Sequence, residues 1–91
     1  MSSGSDASFD GIVERMATRA RADRGAWQRD GWTRAAEAIA GHAAPFVEWA
    51  RDHRRWRYVV AEAGEVVCAK PREAAAWILH AIVEELLEEG E

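Results

Sequence analysis

The run Arg51-Asp52-His53-Arg54-Arg55-Trp56-Arg57 sets four guanidiniums beside an indole. Guanidiniums clamp phosphates and an indole stacks on bases, so Arg51, Arg54, Arg55 and Arg57 are candidate nucleic-acid contacts. The same groups serve equally well as a surface that pairs with carboxylates of this chain or of a partner. Rim charges of that kind steer association more than they hold it. The charge distribution favours the protein-facing use. Residues 1–57 carry ten Arg and Lys against eight Asp and Glu, while residues 58–91 carry two against eight. The halves are therefore +2 and −6, which sum to the net −4 of the whole chain. An acidic total also weighs against non-specific binding to DNA.

The second group is aromatic. Five tryptophans in 91 residues is a high count. Trp27, Trp32 and Trp49 fall on apolar faces at helical spacing, where a core role is sufficient explanation. Trp77 does not: on a helical wheel it stands nearly opposite the stripe through Ile82 and Leu86, beside Glu84 and Glu88. An indole on the polar side of a helix is either covered by another element or offered to a partner, and aromatics of this size are frequent binding hot spots. Trp56 is ambiguous in the same way. Trp77 and Trp56, with His80 and Glu84 one helical turn apart, are the expected protein-binding residues.

Catalytic and metal chemistry find little support. His42, His53, Cys68 and His80 are the soft or imidazole ligands, and no two lie at the spacing of a structural zinc motif. No Gly-x-Ser-x-Gly, phosphate-binding loop or dinucleotide fingerprint is present. Cys68 with His80 would need a cleft and an orienting third group to act as nucleophile and base. Glu62 and Glu65 flank a turn without an evident cavity. The expectation is a non-enzyme with neither metal nor cofactor. With one cysteine no internal disulfide forms, so stability rests on packing. No apolar run approaches the roughly 18 residues of a membrane span. The acidic polar face of the last helix would be repelled by anionic lipid, so no membrane role is expected. The first ten residues lack the basic start and apolar segment of a secretory leader, which makes the cytoplasm the default location.

These residues must be positioned by elements. Residues 1–7 read as a flexible tail and residues 8–91 as one small domain. Ser8 is placed to cap a first helix whose stripe is Phe9, Ile12, Val13, Met16 and Ala20. Gly25 weakens that helix, which is expected to end near Arg24. A second helix is expected from Trp32 to Ala40, with Gly41 closing it in a left-handed conformation. A third begins near Pro45 and presents Phe46, Trp49, Ala50, His53 and Trp56. The period then shifts toward 2, and residues 58–69 read as a β-hairpin, with Glu62 and Ala63 in the turn and Gly64 as a left-handed bulge. Pro71 opens a last helix to about Glu89, with Ala75, Ile78, Leu79, Ile82, Val83, Leu86 and Leu87 as a broad apolar stripe.

The expected fold is thus α+β: three short helices, a two-stranded antiparallel hairpin and a long C-terminal amphipathic helix. That order resembles a winged helix-turn-helix, which makes a small DNA-binding regulator the alternative function. Glu48, Asp52, Glu62 and Glu65 put the wrong charge where such a protein meets phosphate. The preferred function is a non-catalytic interaction module, an adaptor, regulator or assembly factor, whose partner is another protein or a second copy of itself.

Overall fold

In the computed structural model, which describes residues 4–64 and 70–89, every regular element among the described residues is a helix. They are α1 (Gly4–Ala22), α2 (Arg24–Ile39), α3 (Ala43–Asp52), α4 (Arg57–Ala63) and α5 (Pro71–Glu89).

Helix α5 is the hub. It packs against all four other helices. Of the expected stripe Ala75, Ile78, Leu79, Ile82, Val83 and Leu87 are buried and Leu86 is half-buried, while Ala74 and Ala76 widen the buried face. A stripe this wide suits a helix covered on several sides. The three alanines near its start are fully buried and keep that end slim.

The other helices each bring a narrower face to this hub. Helix α1 begins at Gly4, so Ser8 lies inside it rather than at its cap. It buries Val13, Ala17 and Ala20. Asp23 alone separates α1 from α2. Its carboxylate accepts a hydrogen bond from the Ala26 N–H at 3.0 Å, capping α2. Gly25 therefore falls within α2, which starts well before Trp32. The buried face of α2 is Trp27, Gly31, Ala35 and Ile39, a strict four-residue step. Ala40 closes α2 in the right-handed region, and Gly41 is not left-handed: Gly64, at φ 56°, is the positive-φ glycine among the described residues. Pro45 sits in the first turn of α3, where its missing N–H leaves no bond unmade. Helix α3 buries Ala43, Phe46, Val47 and Ala50.

The α+β expectation is overturned at residues 57–63. Tyr58 to Ala63, expected as the first strand and turn of a hairpin, belong to α4; the expected second strand lies outside the described residues. The wing that a DNA-binding winged helix would require thus has no first strand. The reason is visible in the burial. Val59 and Val60 are adjacent and both buried, whereas a strand would turn one of them outward. Trp56, Val59, Val60 and Ala63 instead recur at helical spacing and face the core together. Gly64 keeps its left-handed φ but uses it to end a helix, donating its N–H to the Val60 carbonyl at 3.3 Å.

One glycine is required by contact rather than by conformation. A Cβ on Gly31 would stand 2.9 Å from the Trp27 ring. Gly31→Ala is expected to lower stability by about 1 kcal/mol, because crowding a packed core outweighs the gain in helix propensity. At Gly11 the same Cβ would meet only the end of the Arg15 side chain, at 3.7 Å. Gly11→Ala is expected to raise stability by about 0.5–1 kcal/mol. Urea unfolding midpoints that move in opposite directions for the two variants check both.

Candidate functional site

Four helices around one hub leave a specific edge open. Among the described residues the exposed large hydrophobics are Trp32 (45% exposed), Tyr58 (45%) and Trp77 (38%). Trp32 on α2 and Trp77 on α5 line one cavity of about 350 Å³, with Glu62 and Ala63 from α4 and Glu73 and Ala74 from α5. Tyr58 lies one helical turn before Glu62 on α4, hence on the same side of that helix. Two indoles from distant parts of the chain thus share an open site rimmed by carboxylates.

Trp77 stands where the helical wheel puts it, off the buried stripe of α5. Trp32 does not stand where sequence reasoning put it. The buried step of α2 runs through Gly31, so its neighbour Trp32 is rotated about 100° away from the core. The available signal was Asp23 as a cap, which starts the helix at Arg24 and sets the buried face through Trp27.

His80 and Glu84, expected as partner contacts, are both half-exposed and also link α5 to α2. The Trp27 indole N–H donates to Glu84 Oε2 at 2.5 Å. The His80 ring stacks on Trp27 with centroids 4.9 Å apart and planes 14° from parallel. His80 Nε2 is 3.9 Å from Glu84 Oε2, and Trp32 leans toward the same imidazole at 6.3 Å. Trp56 is also taken up by the fold. It is 4% exposed, with the Arg55 guanidinium 4.5 Å above its ring.

The basic run divides. Arg55 pairs with Glu89 at the end of α5, and Arg21 donates to the Leu86 carbonyl at 3.3 Å. Both arginines meet the C-terminal end of α5, where four glutamates oppose the helix dipole. Arg51 pairs with Glu48 at 3.5 Å, while Arg54 and Arg57 are exposed. Trp49 and the other two histidines belong to an aromatic cluster. Phe9 and Trp49 lie 5.6 and 5.5 Å from Phe46, His53 lies 5.0 Å from Trp49, and His42 edges Phe9 at 6.4 Å. Cys68 lies outside the described residues. No group of three His, Cys, Asp or Glu that could hold a metal ion occurs among the described residues. No described helix is long and apolar enough to cross a membrane.

A larger cleft of about 580 Å³ opens between α1 and α2. Its rim mixes Arg19 and Arg34 with Asp23 and Glu37, and the one indole it reaches, Trp27, is buried. It therefore offers neither a consistent charge nor an exposed aromatic. The Trp32–Trp77 edge offers both. This small helical domain carries no recognisable catalytic motif. No family model matches the chain, and comparison with curated proteins and with solved structures gave no match.

Proposed function

We propose that this chain is a non-catalytic protein-interaction module that docks a second copy of itself through the edge formed by Trp32, Tyr58 and Trp77. The observation that carries this function is the convergence of Trp32 and Trp77, both more than a third exposed, on one cavity. Large exposed aromatics around a shallow concavity are what a protein interface uses as anchors. The charge distribution supports a second copy as the occupant. The edge carries Glu62 and Glu73, and the exposed Arg54 and Arg57 are complementary charges that a second copy offers. In a two-fold dimer each copy's arginines meet the other's acidic edge, so one contact is satisfied twice.

Sedimentation velocity over a range from micromolar to millimolar tests this. The wild type is expected to shift from monomer to dimer as concentration rises. Trp32→Ala and Trp77→Ala are each expected to weaken association by about 30-fold, the mark of a hot spot, while changing folding stability by no more than about 1 kcal/mol. A chain monomeric throughout the range, or variants that dimerise like the wild type, contradicts the proposal.

A further inference from the structure

We propose that the cavity between Trp32 and Trp77 binds the guanidinium of an arginine presented by the second copy, an assignment that rests on the docking proposed above. Its walls define the chemistry. Two indoles line it from α2 and α5, together with Glu62 and Glu73 and the small side chains of Ala63 and Ala74. Indole faces attract cations more strongly than any other side-chain ring. Carboxylates beside them supply charge-assisted acceptors. At about 350 Å³ the cavity lies near the lower limit for small-molecule sites, a size suited to one side-chain head group. Glu73 also meets Lys70 at 3.6 Å, but both side chains are well exposed. An exposed pair of this type is weak and exchanges readily for another cation. With Glu62, Glu73 and Lys70 counted together the site keeps a net negative charge.

The chain already holds a guanidinium in this way elsewhere. The Arg55 guanidinium lies 4.5 Å over the Trp56 ring and pairs with the Glu89 carboxylate. Indole plus carboxylate is the same pair of acceptor groups that lines the open cavity. Arginine rather than lysine is the matching cation. Its planar, weakly hydrated group stacks on an indole and bonds a carboxylate at once. The second copy offers that group in abundance: all ten basic residues in positions 1–57 are arginine, and Lys70 is the chain's only lysine.

The test is a titration followed by the indole resonances in proton–nitrogen NMR, at a protein concentration where the chain is monomeric. The probe is an acetylated and amidated Gly-Arg-Gly tripeptide, with its uncharged citrulline analogue and tetramethylammonium as comparisons. The arginine probe is expected to shift the signals of Trp32 and Trp77. The citrulline analogue is expected to bind about tenfold more weakly. The Glu62→Gln/Glu73→Gln variant, altered only at exposed positions, is expected to lose a similar factor for the probe and for dimerisation. Equal shifts from arginine and citrulline, or tetramethylammonium binding as tightly as arginine, overturn the guanidinium assignment. A chain that associates through Trp32 and Trp77 with no arginine-specific shift contradicts the guanidinium site and leaves the docking edge standing. A chain that stays monomeric yet responds to the arginine probe contradicts the second copy and leaves the guanidinium site standing.

Discussion

Trp27→Ala is expected to destabilise the protein by roughly 3–5 kcal/mol. The indole is 4% exposed, joins α2 to α5 by its hydrogen bond to Glu84, and carries the stacked His80 ring. Removing it opens a cavity at the main helix–helix contact and releases both polar partners together. For a domain of this length the loss corresponds to a fall in melting temperature on the order of tens of degrees. The urea midpoint should drop with little change in slope if the native state keeps its compactness. A double-mutant cycle sharpens the expectation. Gly31→Ala is costly because its Cβ meets the Trp27 ring at 2.9 Å. In the Trp27→Ala background that crowding is gone, and the alanine should become stabilising through helix propensity alone. Additive effects would mean that Gly31 and Trp27 are not in contact.

Phe46→Ala, in α3, is expected to cost a similar amount, about 3–5 kcal/mol. Phe46 is fully buried. It anchors α3 among Phe9 and Trp49, with ring centroids 5.6 and 5.5 Å away. Its loss removes the centre of that cluster, and the remaining rings cannot close the gap without moving α1 against α3. A chain of this length is stabilised by roughly 5–14 kcal/mol in total, so the variant should stand near the limit of folding. Unfolding followed by circular dichroism checks this, and a loss below about 1 kcal/mol would mean that Phe46 is not in the core.

The contrast between these sites and Trp77 shows how much was legible beforehand. Helix α5 was legible from Pro71 to Glu89 because its apolar stripe persists over five turns and no strand pattern fits it. The position of Trp77 off that stripe followed from the same periodicity. Residues 57–63 were not legible. Seven residues containing Tyr58, Val59 and Val60 satisfy strand composition as well as helix spacing, and short apolar runs leave the two periods unresolved. Burial on both sides of the Val59–Val60 pair decided for the helix, and burial is a tertiary property. The site was half legible for a related reason. A helix starting at Trp32 would turn that indole into the core, whereas one starting at Arg24 buries Trp27 and Gly31 and turns Trp32 out. His80 and Glu84 read as surface groups because nothing local reveals an indole arriving from 53 residues earlier in the chain to stack on one and bond the other. The burial of Trp56 was hidden in the same way, because nothing local marks it as core.

The most direct test is the solvent accessibility of the five indoles, read by paramagnetic broadening of their side-chain NMR signals with a neutral gadolinium chelate. At low concentration Trp32 and Trp77 should broaden strongly while Trp27 and Trp56 stay sharp, and raising the concentration should protect Trp32 and Trp77 as the edge is covered. A Trp77 signal that stays sharp in the monomer, or no gain in protection at high concentration, would contradict the docking edge.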